Sequence, residues 1–425
     1  MIDINLIRQD PEGMKAKFAK KLYDVDFTEF LEKDKLRKEL RSENDALKAD
    51  RNRTSALVPQ MKKAGEDPTS LIESMKKLGD EIKANDDKIA ELETYIQDFL
   101  DGLPNPPLDD VPAGGKENNK VIDSWGEKPN FDFTPKHHVE IAEELGIIDY
   151  KRGAKLGGNG FWVYRKDGAL LEWALLNFFI QEHLKDGYEF LLLPHLLNKK
   201  TGYGAGQFPK FGDDVFQIDG GEENTHFLLP TAETALVNLY ADEIIEEDEL
   251  PFRFAGYTPC YRKEAGSYRA EERGMIRGHQ FNKVEMVAYT LPQDSTIMLK
   301  ELIDKASNLV RKLGLHYRVS KLAAGDCSHA MATTYDIEIW IPSMNDYKEV
   351  SSVSNAYDYQ ARRNNTRYRN KATGKLEFVH TLNGSGLATS RILPAIMEQY
   401  QRPDGSITVP EVLRKWVGKD VIKKA

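Results

Sequence analysis

Arg262-Lys263-Glu264, running on to Arg277-Gly278-His279-Gln280-Phe281, and Gly384-Ser385-Gly386-Leu387-Ala388-Thr389-Ser390-Arg391 lie far apart in a chain of 425 residues. The first stretch supplies a fixed cation, a carboxylate, a second cation and an aromatic face. The second brings a glycine-permitted close turn that delivers one more cation. Together they suit ATP, whose phosphates need permanent charge and whose adenine needs a stacking surface and an acceptor for its amino group. Neither a Gly-x-x-x-x-Gly-Lys-Ser/Thr phosphate loop nor a Gly-x-Gly-x-x-Gly after a strand occurs, so the common ATP and dinucleotide folds are disfavoured.

Outward from these segments, runs rich in β-branched and aromatic residues (252–261, 281–289, 335–341) mix with helical stretches at 170–184 and 297–313. That mixture predicts an α+β fold, an antiparallel β-sheet flanked by helices. The chain is too long for one typical core, so a second domain or an appendage is expected. With 30% charged residues and a mean hydropathy of −0.55, the composition is that of a soluble protein. The most apolar stretch, 169–180, is interrupted by Glu172 and Asn177 and reads as a core helix, too short for a bilayer. No basic region followed by an apolar run opens the sequence, so no secretory signal is expected. Cys260 and Cys327 are the two cysteines and read as reduced thiols of a cytoplasmic protein. His137, His138 and His329 lack partners at metal-ligand spacing and read as surface or core residues.

Before this domain lies an arm. Asp10-Pro11 is a helix N-cap followed by proline at the first helical position, which predicts a short leading helix. Leu71, Met75, Leu78, Ile82, Asn85, Ile89, Leu92, Ile96 and Phe99 then alternate by four and three, the seam of a coiled coil. Upstream, Leu36, Leu40, Leu47, Leu57 and Met61 fit a register whose stripe also holds Glu43, Asp50 and Thr54. A turn at 64–70 between the two predicts an antiparallel hairpin. Pro59 departs from an uninterrupted first helix and biases Val58 away from helical geometry. Each helix of about 35 residues would run roughly 50 Å, against a radius of gyration of roughly 20 Å for the rest, so the hairpin should project. The expected organisation is an N-terminal domain at 1–103 with its coiled-coil arm at about 27–100, a proline- and glycine-rich linker at 104–116, and a catalytic domain at 117–425. Alone, such an arm is as readily a dimerisation coiled coil as an RNA-binding device. A net charge of −9 lends nucleic-acid binding no support, although phosphate recognition needs only a local basic surface.

In order and spacing the two opening segments resemble motifs 2 and 3 of the class II aminoacyl-tRNA synthetases. Four further stretches narrow the resemblance to the seryl-tRNA synthetase family of bacterial type. They are Gly204-Ala205-Gly206-Gln207-Phe208-Pro209-Lys210-Phe211, Leu229-Pro230-Thr231-Ala232-Glu233, Glu349-Val350-Ser351-Ser352-Val353-Ser354-Asn355 and Gln360-Ala361-Arg362-Arg363. The resemblance spans nearly the whole chain, arm included. It implies ATP-dependent activation of L-serine to seryl-adenylate, with transfer to serine tRNA and to selenocysteine tRNA where a cell has one. It also implies an arm that reaches the tRNA variable arm, and a homodimer through Pro194 of the motif 1 type.

The resemblance implies roles residue by residue. Arg262 would hold the serine carboxylate and the α-phosphate together. Glu264 would accept from the adenine amino group, the strand pleat placing it on the same face as Arg262. Phe281 would stack on adenine and Arg277 would bind the outer phosphates. Arg391, at the start of a helix running to Tyr400, would meet the γ-phosphate, with help from the helix N-terminus. Gly384 and Gly386 would let the backbone approach the ligand. Glu349 and Ser352 would hold Mg²⁺, and Lys263, Val350 and Ser351 complete the ATP set. Thr231 and Glu233 would bind the amino group, Ala232 belongs with them to the serine-binding set, and Glu285, Asn383 and Ser385 would meet the hydroxyl. Gly202–Gly206 is expected to be a mobile loop over the substrate. Arg362, Arg363, Arg367 and Arg369 with Tyr368 resemble an RNA-binding strip, or else line a rim or pair with acidic neighbours. Two rivals remain open: a ligase that loads an amino acid on a carrier protein, for which the long arm has little use, and a catalytically silent paralogue, which would predict lesions at Arg262, Glu264, Glu349 or Arg391 that are not present.

Overall fold

The computed structural model describes residues 1–218, 220, 225–264 and 274–424. It divides into two compact units, a smaller one of Ile2–Ala16 and Asp24–Leu103 and a larger one of Met1, Lys17–Tyr23 and Pro104–Ala425.

The leading stretch holds two helices, α1 (Ile4–Gln9) and α2 (Pro11–Lys20). Asp10 starts the second as expected, accepting the Gly13 N–H at 2.8 Å. The hairpin is formed by α3 (Thr28–Ala64) and α4 (Thr69–Gly102). Gly65 closes α3 in the left-handed region at φ 76°, which costs a glycine nothing. All nine predicted seam residues of α4 are buried or half-buried. The α3 seam differs from expectation. Leu36 and Leu57 are 40% and 47% exposed, while Arg37, Asn44, Arg51 and Val58 turn inward with Leu40, Leu47, Thr54 and Met61. Several of the polar side chains here are paired, either within α3 or with other helices. Asn44 donates to Asp86 at 2.6 Å and Arg41 pairs with Glu93. Asp34 takes Arg8 and Arg37, each at 2.8 Å. Against desolvation, Arg8, Arg37 and Lys38 hold its carboxyl well below the usual range. Nor does Pro59 interrupt the helix: α3 runs through it, since the exposed outer face accommodates the carbonyl that loses its donor.

The larger unit is built on an eight-stranded sheet. In chain order its strands are β1 (Lys120–Trp125), β2 (Glu189–Leu192), β3 (Phe252–Tyr261), β4 (Gln280–Thr290), β5 (Tyr317–Lys321), β6 (Thr333–Ile341), β7 (Asp346–Tyr357) and β8 (His380–Ala388). Their order across the sheet is β1-β5-β6-β7-β8-β4-β3-β2. Neighbours are antiparallel except β2 and β3, which run parallel. Helices α5 (Asp167–Lys185), α6 (Ser295–Lys312) and α7 (Thr389–Gln399) cover one face. Leu175, Phe179, Leu302, Met286, Ile339 and Ile396 fill the core between. The apolar stretch at 169–180 is therefore a core helix, and among the described residues no helix is long and apolar enough to cross a membrane.

Strand β4 shows how the sheet makes a site. Val284, Met286 and Ala288 enter the helix-covered core, so the alternate residues Phe281, Lys283 and Glu285 face the other way. The proline-rich stretch after α4 is hydrogen-bonded along its length. Asn105 donates Nδ2 to the Ala330 and Ala356 carbonyls at 2.9 and 2.8 Å, and Ala324 donates to the Pro112 carbonyl at 2.7 Å. Both cysteines are buried, free thiols.

Candidate active site

The open face of the sheet carries a cleft. One lobe, of about 410 Å³, is lined by Thr231, Glu233, Arg262, Glu264, Arg277 and Met331, among others. A lobe of about 380 Å³ adds Lys283, Glu285, Glu349, Asn383, Ser385 and Arg391. A smaller recess holds Phe281, Gly278 and Val350 with the same arginines.

Arg262 and Glu264 meet in this cleft, but not through the pleat. Strand β3 ends at Tyr261, and Glu264 has φ 49°, a left-handed turn beyond the strand. Backbone bonds fix the turn: Arg262 N–H to the His279 carbonyl at 2.9 Å and Lys263 N–H to Asp214 at 3.0 Å. Glu264 accepts from Arg277 at 2.5 Å. The Arg262 guanidinium lies 5.3 Å from the centre of the Phe281 ring and donates to the Pro230 carbonyl at 3.2 Å. A cation, an acid and an aromatic face thus share one recess.

Deeper in the cleft, charges are paired closely. Lys283 is bonded to Glu285 and donates to the Thr231 hydroxyl at 2.6 Å. Thr231 in turn donates to Glu285 at 3.3 Å. Glu233 accepts from Gln360 at 2.8 Å. Desolvation and the Glu285 charge push the Glu233 carboxyl up to about 7. A carboxylate so placed gains most from an incoming ammonium. Asn383 lies against the Met331 sulfur at 3.9 Å.

At the acidic edge, Glu349 and Ser352 are three residues apart, a spacing that on a regular strand would divide them between faces. A bulge resolves this. Ile337 pairs with Ser351 and Glu338 with Glu349, leaving Val350 unmatched, so both ligand types line one lobe. Asp336 sits across from Ser352. Burial and the neighbouring Glu349 charge hold its carboxyl well above the usual range. Arg391, in the first turn of α7, donates to the Glu349 carbonyl at 2.6 Å and lies 3.4 Å from its carboxylate.

Several expected site residues stand elsewhere. Lys263 does not line the cleft; its segment is tied back to Asp214. Ala232 is fully buried, and the Ser351 hydroxyl points into the sheet, donating to the Ser385 carbonyl at 2.7 Å. Gly384 and Gly386 lie within strand β8 rather than a turn. A Cβ on Gly386 would meet His183 Nε2 at 2.2 Å, a clash that something must shift to relieve, and one on Gly384 would press on Val353 at 3.0 Å. Gly202 and Gly204 belong to a short helix, Lys199–Gly204, and are buried. The arginine strip is largely structural: Arg363 donates to the Phe208 carbonyl at 3.0 Å, Arg362 pairs with Asp358 at 2.7 Å, and the Tyr368 hydroxyl donates to Glu377 at 2.7 Å. His138 does have a partner, Glu398 at 2.7 Å, in a buried pair. Lys283 and Asp336 line the cleft and Gln360 holds Glu233 from behind, and sequence reasoning missed all three. Of these, Lys283 was detectable, two residues before Glu285 on a strand.

Residues 216–400 match the family model of the class II tRNA synthetase core domain for glycine, histidine, proline, serine and threonine. Residues 1–107 match the seryl-tRNA synthetase N-terminal domain. The chain is 60% identical to serine–tRNA ligase 2 of Clostridium acetobutylicum, over 99% of this chain and 100% of that one. Its fold is similar to that of Pyrococcus horikoshii seryl-tRNA synthetase complexed with ATP, with a TM-score of 0.94, 31% identity and full coverage of both chains. The cytoplasmic serine–tRNA ligase of Naegleria fowleri in complex with AMP gives a TM-score of 0.90 at 27% identity, covering 100% of this chain and 99% of that one. With a cleft of this make-up and such likeness along its full length, the chain belongs to the seryl-tRNA synthetase family of class II aminoacyl-tRNA synthetases.

Proposed function

We propose that this chain joins L-serine to ATP, releases pyrophosphate, and transfers the seryl group from the adenylate to serine tRNA. The observation that carries the reading is the set Thr231, Glu233, Lys283, Glu285 and Arg262 in one cleft. It offers a carboxylate for an ammonium, a guanidinium for a carboxylate, and a buried acceptor for a hydroxyl. A site that hydrogen-bonds a substrate hydroxyl rejects the analogue lacking it by about 10⁴.

In this reading a serine carboxylate oxygen attacks the α-phosphorus in line, and the bond to the bridging oxygen of pyrophosphate breaks. Little acid–base chemistry is needed, so the protein's task is alignment and neutralisation of charge. Arg262 holds the carboxylate against the α-phosphate. Arg277 and Arg391 draw off the charge that builds on pyrophosphate, and the N-terminus of α7 adds free N–H groups. Phe281 and Glu264 take the adenine, for which Glu264 exchanges its Arg277 partner. The oxygen donors Glu349 and Ser352, with Asp336 opposite, fit Mg²⁺; the Asp336 carboxyl, raised by burial and by the Glu349 charge, marks a concentration of acidic groups that a cation would relieve. When bound, that ion would be held by Glu349 and Ser352 and would supply positive charge against the phosphates. In the transfer step a ribose hydroxyl of the tRNA terminus attacks the acyl carbon, AMP leaves, and the adenylate phosphate takes the proton.

The hairpin at about 27–100, within an N-terminal domain of residues 1–103, is assigned to tRNA, and selenocysteine tRNA fits the same reading. Pro194, between the exposed Leu192 (76%) and Leu196 (45%), is assigned to a homodimer interface, since apolar side chains left in water favour association. The cytoplasm suits two free thiols. Incubation with labelled serine, ATP, Mg²⁺ and unfractionated tRNA is expected to give seryl-tRNA; absence of labelled tRNA, with adenylate still formed, would overturn the acceptor assignment.

A further inference from the structure

The segment Lys17–Tyr23 belongs to the larger unit, although the residues on either side of it belong to the smaller one. It is held there by its backbone and by a side chain. Gly114 donates its N–H to the Lys20 carbonyl at 3.0 Å, and Gly325 donates to the Gly114 carbonyl at 2.8 Å. Lys21 reaches further. It is 9% exposed, and its ammonium donates to the carbonyls of Met331 at 2.8 Å, Ser328 at 3.0 Å and His329 at 3.4 Å. These acceptors match the three hydrogens of an ammonium. Without them, burying the charge would be strongly unfavourable. Burial pushes this ammonium down to about 8, with Cys327 opposing the shift and Lys210 adding to it.

What Lys21 grips is a wall of the cleft. Ser328, Ala330 and Met331 line the lobe that holds Thr231, Glu233 and Arg262. The Met331 sulfur lies against Asn383, and Asn105 holds the Ala330 carbonyl. The strand carrying Asn383 also carries Ser385. A buried lysine thus fixes the outside of a loop whose inside faces the proposed amino-acid pocket, and nothing in the reaction uses that lysine directly.

We infer that Lys21 is a positioning residue for the serine pocket, clamping the Ser328–Met331 wall through its three carbonyls. This rests on the serine-activating reading. Its consequence is that serine affinity depends on a segment covalently continuous, on both sides, with the smaller unit. A displacement of that segment moves the wall, whereas the phosphate-binding arginines keep their own supports.

The test is ATP–pyrophosphate exchange by the full chain, with serine and ATP titrated separately, for wild type, Lys21→Met, Lys21→Gln and Lys21→Arg. Wild-type exchange with serine checks the underlying reading; its absence would refute that reading rather than the clamp. Given exchange, Lys21→Met should raise the KM for serine about tenfold, the effect of losing roughly one charged hydrogen bond, and leave kcat and the KM for ATP within about twofold. Lys21→Arg should restore most of the serine affinity, because it keeps a cation with several donors. Unchanged serine KM in Lys21→Met overturns the inference, as does a parallel rise in both KM values, which would mark general damage. If Lys21→Met fails to fold, Lys21→Gln decides by the same criterion: a selective rise in serine KM supports the clamp and an unchanged value removes it.

Discussion

In the proposed reading Glu285 accepts the serine hydroxyl, and Lys283, two residues away on the same strand face, is bonded to it. Glu285→Gln is therefore expected to lower the serine-to-alanine preference at least tenfold while the KM for ATP stays within about twofold, as measured by pyrophosphate exchange; an unchanged preference would remove Glu285 from the hydroxyl site. Lys283→Met leaves a buried carboxylate unpaired, a loss of about 3–5 kcal/mol, and should cut kcat/KM for serine at least a hundredfold. The proposed ammonium-binding role of Glu233 implies a pH dependence. Its carboxyl is pushed up to about 7, and the ionised form is the one that holds an ammonium. The kcat/KM for serine should then be level above pH 7 and fall as pH drops through it, approaching tenfold per unit; a profile level down to pH 5.5 would contradict the assignment. At this scale the sequence was legible where the fixed cations stand, since Arg262, Arg277 and Arg391 do converge. It was misleading where neighbours in sequence were taken as neighbours in the cleft. Ala232, Lys263 and Ser351 sit beside site residues, yet Ala232 and Ser351 are buried and Lys263 lies off the cleft.

Among the elements, α4 was readable and α3 was not. The α4 stripe is apolar but for Asn85, so burial and periodicity coincide. The α3 stripe contains Arg37 and Asn44, whose partners Asp34, Glu93 and Asp86 lie on the same helix or far along the chain. Leucine spacing alone therefore points to Leu36 and Leu57, which are exposed. The bulge at Val350 was invisible for a similar reason, because it is a mismatch between two strands and belongs to neither alone. Pro59 gives a direct test of the uninterrupted helix. Exposed and internal to α3, it withholds a hydrogen bond, so Pro59→Ala should stabilise the hairpin by about 1–3 kcal/mol in thermal or urea unfolding. A loss of stability would mean that the chain bends there and needs the proline.

For the whole molecule, the division into two compact units separates chemistry from the proposed tRNA contact. Removing residues 30–100 should leave serine-dependent exchange near the wild-type rate and abolish charging; loss of both would show that the hairpin is needed to assemble the cleft. The net charge of −9 gave no hint of an RNA partner, because composition averages over both units. The most direct measurement is ATP–pyrophosphate exchange with Mg²⁺ and no tRNA, screened across all the standard amino acids. Exchange with serine and, at most, weakly with its close analogues is the expected result. Exchange driven by a different amino acid, or by none, would contradict a pocket built from Thr231, Glu233, Lys283 and Glu285 to hold serine.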